Sequence, residues 1–294
     1  MRIVSLLPSA TEIVYALGLD DQLVGVTFEC NEPAAARRDK TVVVGGRDTS
    51  GMSPAAIDAY VRAQLAAGQD LYALHADALA ALAPDVILTQ DLCRVCALPT
   101  DQVEDALDYL GCTADVVSLD PHRLDEVLAT ILIIGRHIGA QPPAEQLVAT
   151  LRRRLAAVAD RVADRPRPTV AVVEWVDPPF TAGHWVPDLV TVAGGQDVGS
   201  APGEPSRPRP WDELAALAPD VVVVAPCGFG LEAASAQAEL VAQRLPGRPI
   251  WAIDADGLVV RPGPRLIDGV EALAAALHPD AAVATGPGRI RRIC

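Results

Sequence analysis

The sequence predicts an α/β fold of two Rossmann-like lobes with parallel sheets, joined by a long rigid helix. One observation is a repeat: the segment LAALAPDV begins at Leu79 and recurs letter for letter from Leu214. Each copy reads as a helix end, a Pro-Asp turn and a buried strand. Short apolar strands that alternate with helices are typical of parallel sheets covered on both faces. The length, 294 residues, is also sufficient for two domains of ordinary size.

The strands of both lobes follow from short apolar runs. In the first lobe they are expected at 3–6, 23–26, 42–44, 86–88 and 115–118, and in the second at 169–174, 221–224 and 250–253. Ser9 stands three residues before Glu12, which is a capping-box pattern for the start of a helix. A further helix is expected within 54–67, and the segment 286–294 is expected to be a mobile tail.

The connection between the lobes is predicted to be helical. Helical patterns cover 124–137 and 144–162 and are interrupted only by Gln141, Pro142 and Pro143, with no Gly/Ser linker. A stiff connector implies lobes at a nearly fixed angle. The predicted domains are therefore an N-terminal α/β lobe (1–120), a helical connector (121–163) and a C-terminal α/β lobe (164–294).

Composition and motifs exclude several classes of function. The chain has 38 acidic and 24 basic side chains, a net charge of −14, which argues against nucleic acid as a partner. No run approaches the ~20 apolar residues of a membrane helix, so the protein is not expected to be membrane-embedded. The amino terminus shows no signal-peptide pattern, from which we expect a cytoplasmic protein. Walker A, GxSxG and HExxH motifs are absent, so nucleotide or hydrolase chemistry has no support, and whether any catalysis occurs stays open.

Unusual residues concentrate where ligands bind in open parallel sheets, beyond the carboxyl ends of the strands. The loops at these positions contain four of the six cysteines, His184 and many of the few aromatic residues. The residues concerned are Cys30, Cys93, Cys96, Cys227, Phe28, Trp175, Phe180, Trp185 and Phe229.

The cysteines suggest a metal or redox centre. Cys93 and Cys96 form a CxxC motif, which can bind one metal or form a redox disulfide. A closed zinc site or an iron–sulfur cluster needs two more ligands, and Cys30 and Cys227 are the candidates. The competing interpretation is that all four are small buried apolar residues. The hypothesis of a metal site requires Cys30, Cys93 and Cys96 to lie close together. It also requires Cys227 and His184 to face that cluster.

Other residues in these loops are candidates for ligand binding. His184 could ligate a metal, including the cobalt of a corrinoid, or be a hydrogen-bonded loop histidine. Phe180 and Trp185 could stack on a planar macrocycle or pack beneath their loop. Arg261 and Arg265 could recognise carboxylates, phosphate or amide oxygens, or be solvated charges of a turn.

Several segments resemble a known family over essentially the whole chain. The most specific are 2–12 and 27–33, followed by 177–183 and 189–195. They are similar to the cobalamin-binding members of the helical-backbone, or class III, periplasmic binding proteins, which serve ABC transporters. The resemblance implies two Rossmann-like lobes joined by a long helix. It also implies ligand contacts from Glu29 and the residues up to Pro33, from Phe180 and from 254–261. An ABC permease would dock on one acidic residue of each lobe, Asp77 and Asp212.

The expected function is therefore a cytosolic binding protein for cobalamin, another corrinoid or a metal chelate, held in the cleft between the lobes. Contacts are expected from Glu29, Phe180, His184, Trp185, Arg261 and Arg265. The alternative is a metal- or iron–sulfur-dependent enzyme or redox protein that uses the cleft cysteines. A third hypothesis is an ABC-importer component whose leader has been removed.

Overall fold

The chain forms two α/β units, each with its own sheet. The computed structural model describes residues 1–49, 51–90, 100, 102, 103, 105, 107 and 113–294. Met1–Pro121 and Leu128–Val148 form the first unit, and His122–Val127 and Ala149–Cys294 form the second. The predicted fold class, α/β with parallel sheets in two lobes, is confirmed.

The sheet of the first unit has the strand order β4-β3-β2-β1-β5-β6. All neighbouring strands are parallel except β4, which runs antiparallel to β3. The strands are β1 (Ile3–Ser5), β2 (Leu23–Thr27), β3 (Thr41–Gly46), β4 (Tyr72–Leu74), β5 (Val86–Thr89) and β6 (Asp115–Ser118). The helices between them are α1 (Pro8–Ala16), α2 (Ala34–Asp39), α3 (Pro54–Ala66) and α4 (Ala76–Leu82).

Two long helices follow the first sheet in the sequence. They are α5 (Leu124–His137) and α6 (Gln141–Val162). Pro142 and Pro143 do not interrupt α6, because both fall in its first turn, where the backbone N–H has no partner within the helix. The helix therefore begins three residues before the predicted start at Ala144.

The sheet of the second unit has the order β10-β8-β7-β11-β12-β13, and β9 also pairs with β7. Strands β7, β11 and β12 are parallel, whereas β8, β10 and β13 run antiparallel to their neighbours. The strands are β7 (Thr169–Val176), β8 (Pro179–Thr181), β9 (Gln196–Asp197), β10 (Arg207–Pro208), β11 (Val221–Val224), β12 (Ile250–Ile253) and β13 (Ile290–Arg292). The helices are α7 (Val186–Val192), α8 (Trp211–Ala216), α9 (Leu231–Arg244), α10 (Ala255–Leu258) and α11 (Leu266–Leu277).

The sequence repeat has the same structural role in both units. Ala83 and Ala218 follow helices α4 and α8 and adopt left-handed backbone angles, with φ of 42° and 47°. The aspartate two residues later accepts a backbone hydrogen bond from the start of the neighbouring strand. Asp85 Oδ2 accepts from Arg2 N at 2.7 Å, and Asp220 Oδ2 accepts from Thr169 N at 2.8 Å. Each repeat thus ends a helix and ties the amino ends of two parallel strands together.

Each unit has its own apolar core, and the burial of these side chains is the main source of stability. In the first unit the core contains Val4, Val43 and Ile87, which lie on one face of the sheet. In the second it contains Val173, Val222, Ala234 and Ile250.

Two local expectations are wrong. Helix α1 begins at Pro8, and no side chain caps it, so Ser9 does not form the expected capping box with Glu12. The terminal segment contains β13, which pairs with β12 through Trp251 and Arg292 and through Ile253 and Ile290. Its arginines reach back to the second unit: Arg291 pairs with Glu232 at 2.6 Å. The segment is therefore held by a sheet edge.

Candidate functional site

Aromatic side chains cluster at the carboxyl edge of the second sheet, which we define as the edge where β7, β11 and β12 end. Trp175 lies near the end of β7, and its ring centroid is 5.9 Å from that of Phe229, in the loop after β11. Phe180 on β8 is the cross-strand partner of Trp175. All three side chains are half-buried, so each ring retains exposed surface. These rings form a partly apolar wall.

Charged side chains lie beside this wall, in the loop after β12. Asp254 caps α10 by accepting a hydrogen bond from Gly257 N at 3.3 Å. Arg261 forms an ion pair with Asp256 at 2.8 Å, and both side chains are largely buried. The Arg265 guanidinium packs against Gly257, where a Cβ would lie 2.8 Å from Nη1. Both arginines thus contact α10 and are held in place by the fold.

Two backbone hydrogen bonds link the segments of this edge, and a side-chain bond holds the Trp175 indole. Cys227 N donates to Glu174 O at 3.1 Å, and Asp256 N donates to Phe229 O at 3.2 Å. The Trp175 indole donates to Asp177 O at 3.1 Å. Since each loop is fixed to the next, the aromatic and charged side chains occupy fixed positions on the sheet edge.

His184 lies after β8 and faces a second histidine. The centroids of the His122 and His184 rings are 5.8 Å apart, with an interplanar angle of 48°. His184 has a left-handed backbone angle, φ 53°. Burial, and secondarily the proximity of His122, lower the pKa of His184 below its usual value. The His184 ring is therefore neutral at neutral pH.

Trp185 does not present its ring to a ligand, contrary to the sequence-based expectation. Its side chain is 6% exposed, and its indole N–H donates to Val259 O at 2.7 Å. The indole can be buried beneath the loop because its only polar group, the N–H, has a hydrogen-bond partner within the protein. Trp185 is therefore a packing residue, which is the alternative that the sequence left open.

The first unit places Glu29 at the corresponding edge of its sheet, where β2 and β3 end. Tyr72, at the start of β4, donates to Glu29 Oε2 at 3.4 Å. The Phe28 ring lies 6.2 Å from the Tyr72 ring and packs on Gly46, where a Cβ would be 2.6 Å away. Because β4 is antiparallel to β3, its first residue, Tyr72, lies at this edge.

The cysteines do not form the expected metal centre in the part of the chain that the structure describes. Cys30 is fully buried, with its sulfur 3.1 Å from Thr11 Oγ1 and 3.3 Å from Thr27 Oγ1. Cys227 is exposed in the second unit, and Cys93 and Cys96 lie outside the described residues. Within the described residues, no three His, Cys, Asp or Glu side chains are grouped to hold a metal ion. A zinc or iron–sulfur cofactor is therefore unsupported.

A cavity of about 320 Å³ lies at the opposite, amino edge of the second sheet. Asp197 lines it from β9, which pairs with the start of β7. Asp197 Oδ1 accepts from Gly199 N and Ser200 N, whereas Oδ2 is buried with no hydrogen-bond partner among the described residues. Burial raises the pKa of Asp197 to about 6.

Sequence analysis noted Trp175 and Phe229 in these loops but did not select them as site residues. It interpreted His122 as a structural or solvated histidine and assigned no role to Tyr72. The sequence did contain a reason to select Trp175, because a tryptophan at the end of a predicted strand is unusual in a chain with 4% aromatic residues. His122 and Tyr72 carried no such signal, because only the fold brings His122 beside His184 and Tyr72, on β4, beside Glu29.

Comparison with known proteins gives a consistent result. A family model described as periplasmic binding protein matches residues 3–255. An ABC transporter substrate-binding lipoprotein of Bacillus subtilis, itself uncharacterised, is 28% identical over 95% of this chain and 80% of its own length. A cobalamin-binding protein of Halobacterium salinarum is 26% identical over 94% of this chain and 69% of its own.

The solved structures agree with the sequence relatives. A periplasmic heme-binding protein of Pseudomonas aeruginosa superposes with a TM-score of 0.73 and 26% identity, covering 99% of this chain and 97% of the other. The resemblance to class III periplasmic binding proteins, expected from segments such as 2–12 and 27–33, is thereby confirmed.

The expectation of a cytoplasmic protein is wrong. It rested on the amino-terminal pattern alone, whereas the relatives are described as a lipoprotein and as a periplasmic protein. Within the ranges that the structure covers, no helix combines the length and apolar character needed to cross a bilayer.

Proposed function

The chain belongs to the periplasmic binding protein family, and from this membership we propose that it is the substrate-binding component of an ABC importer. The proposed cargo is cobalamin or another metal-bearing tetrapyrrole. The observation that carries the proposal is the similarity, over 94% of the chain, to a protein named for cobalamin binding. The lipoprotein and periplasmic relatives support a site of action outside the cytoplasm.

The aromatic wall of the second unit supports a large, partly planar ligand. Trp175, Phe180 and Phe229 are half-buried and lie together at the carboxyl edge, where α/β sheets bind their ligands. Aromatic faces contribute much apolar contact area at little cost in conformational entropy, because each side chain has only two rotatable angles. We infer that the macrocycle packs against these rings.

The charged residues favour a corrinoid over a heme. The periphery of a corrinoid carries neutral amides, whereas heme carries two carboxylates. Arg265 can donate to amide or carboxylate oxygens alike. Glu29, half-buried beside Tyr72, can accept a hydrogen bond from an amide N–H but repels a carboxylate. The net charge of −14 likewise disfavours a ligand that carries carboxylates.

The experiment is a titration of the purified protein with hydroxocobalamin and, separately, with hemin, followed by visible absorbance and calorimetry. We expect one corrinoid to bind per chain and to bind more tightly than hemin. The Trp175→Ala/Phe229→Ala variant is expected to weaken binding at least tenfold, equivalent to about 1.4 kcal/mol. Leu240→Ala, which removes an exposed apolar side chain from α9, is the matched control and leaves affinity unchanged.

Three results would count against this proposal. The absence of binding of either tetrapyrrole at micromolar concentration would overturn it. Tighter binding of hemin would overturn the choice of a corrinoid. Equal affinities of the wild type and the double aromatic variant would exclude the aromatic wall as the contact surface.

We further propose that Asp77 and Asp212 contact the permease. Both are exposed, and each lies in the first turn of the helix that carries a repeat copy, two residues before Leu79 and Leu214 respectively. The repeat therefore gives the two acids equivalent positions in the two units.

Asp77→Arg/Asp212→Arg is expected to abolish uptake in cells that carry the importer while cargo binding in solution is retained. Asp21→Arg, on another exposed turn, is the control, and normal uptake by the double variant would refute this docking role.

A further inference from the structure

His122 and His184 form a pair of neighbouring imidazoles in the second unit. His122 lies two residues before α5 and is exposed, whereas His184 follows β8 and is half-buried. Their ring centroids are 5.8 Å apart. Across the described residues, neither ring takes part in a hydrogen bond or an ion pair. The ring nitrogens are not buried, so they are open to water or to a ligand.

The backbone holds His184 in a fixed and unfavourable conformation. His184 N donates to Glu204 O at 2.6 Å, and Gly203 N donates to His184 O at 3.0 Å. A Cβ on the preceding Gly183 would collide with the backbone of residues 204–206. The φ of 53° is rarely adopted by residues other than glycine, and such strain is concentrated at functional positions.

The segment that carries His122 is anchored just as firmly. Its backbone N–H donates to Glu126 Oε2 at 2.6 Å. The next residue, Arg123, forms a two-point ion pair with Asp188 of α7, at 2.9 and 3.2 Å. Leu124 N also donates to Asp188 Oδ2, at 3.1 Å. Both histidines therefore project from backbone whose position is set by neighbouring contacts.

We propose that His122 and His184 together bind a divalent first-row transition-metal ion. Neutral imidazole is the commonest side-chain ligand for such ions. Metal–nitrogen distances of about 2.0–2.1 Å place two imidazoles that share an ion with their ring centres about 5–6 Å apart. The observed 5.8 Å lies in this range.

The site has two protein ligands, so it is open. Structural metal sites are closed by four protein ligands, whereas open sites leave positions for water or for the donor atoms of a ligand. The remaining positions are available to water or to a small chelator that arrives with the metal. This metal proposal does not depend on the proposed packing of a tetrapyrrole on Trp175 and Phe229.

The test is calorimetric titration of tag-free, full-length protein with Ni²⁺, Cu²⁺ and Zn²⁺, in a buffer that does not bind metals. Wild-type protein is expected to bind one ion. His122→Ala and His184→Ala are each expected to weaken binding at least tenfold. His75→Ala removes an exposed histidine of the first unit and is expected to leave affinity unchanged. Unfolding transitions of all variants verify that they fold.

A spectroscopic measurement separates coordination from a structural effect. The electron paramagnetic resonance spectrum of bound Cu²⁺ is expected to show coupling to two imidazole nitrogens in the wild type, and to one in either variant. The proposal is overturned if no metal binds, if the His122→Ala/His184→Ala protein binds as well as the wild type, or if His75→Ala has the same effect. Titrating hydroxocobalamin into the same preparations keeps this outcome distinct from failure of the proposed function.

Discussion

At the scale of single residues, Asp197 shows how burial changes the chemistry of a side chain. Its carboxylate lines the cavity at the amino edge of the second sheet, and one oxygen is buried without a partner among the described residues. Burial raises its pKa to about 6, and the hydrogen bonds from Ser200 and Gly199 offset only part of this effect. Because the folded pKa exceeds the unfolded value of about 3.9, the folded state binds more protons between the two values.

This difference predicts a measurable pH dependence. The contribution of Asp197 to the free energy of unfolding is most favourable below about pH 4 and is lost as the pH rises through about 6, by at most about 3 kcal/mol. Asp197→Asn cannot titrate, so its stability is expected to fall less between pH 4 and pH 7 than that of the wild type. Urea unfolding of both proteins at the two pH values measures the effect. Parallel pH profiles would show that Asp197 does not titrate in this range.

Trp175 and Trp185 look alike in the sequence, since each follows an apolar strand in the same half of the chain. Their environments differ: the Trp185 indole is buried and bonded to Val259 O, whereas Trp175 is half-buried at the sheet edge. The sequence could not distinguish them because burial depends on α10, whose last turn supplies the carbonyl that Trp185 needs.

The two tryptophans are therefore expected to respond differently to substitution by phenylalanine. Trp185→Phe leaves Val259 O without its partner and is expected to cost about 1–3 kcal/mol of stability. Trp175→Phe keeps an aromatic ring and loses only a bond near the surface, so stability is expected to change by about 0.5 kcal/mol or less. Denaturant unfolding compares the two, and a stable Trp185→Phe protein would contradict the packing role.

At the scale of elements, the repeat is the feature that the sequence revealed most completely. Its helix, turn and strand were all predicted, because an apolar run after a Pro-Asp turn has few other interpretations. The left-handed angles of Ala83 and Ala218 were not predicted, since alanine gives no signal for them. Nor did the sequence show that Asp85 and Asp220 bond to neighbouring strands, because those contacts join residues that are distant in the chain.

The left-handed alanines predict two stabilising substitutions. Ala83→Gly and Ala218→Gly remove a Cβ that opposes the observed backbone angle, and each is expected to raise stability by about 0.5–1 kcal/mol. Ala81→Gly, within α4, is the matched control and is expected to lower stability by up to about 1 kcal/mol. Thermal unfolding reports all three changes. A loss of stability in both repeat variants would show that the left-handed angle is not costly here.

The strands that sequence analysis did not predict are mostly short or antiparallel to their neighbours. Strands β4, β8, β9, β10 and β13 have two or three residues each, too few for a hydrophobic pattern. Strand β13 also contains Arg291 and Arg292, which made the segment look like a solvated tail. Its position depends on pairing with β12, which is a tertiary contact.

At the scale of the whole molecule, fold class and family were accessible from the sequence, but ligand chemistry was only partly so. Two parallel sheets and a repeat in each half predicted two α/β units, and both are present. The predicted metal centre has no support among the described residues, where Cys30 is buried beside threonine hydroxyls, as a small apolar residue would be. The cytoplasmic expectation failed because it relied on one short segment.

The central claim is that a tetrapyrrole binds to the carboxyl edges of the sheets, and the repeats provide an internal reference for testing it. The Pro-Asp turns at 83–85 and 218–220 mark the opposite, amino edges. Hydrogen–deuterium exchange, read by mass spectrometry with and without saturating hydroxocobalamin, reports both edges in one experiment.

We predict that the corrinoid slows exchange at the carboxyl edges, in peptides that cover 27–33, 175–180, 226–231 and 254–261, and leaves the two Pro-Asp turns unchanged. Protection of the turns without protection of these loops, or no protection anywhere at saturation, would contradict the proposed binding surface.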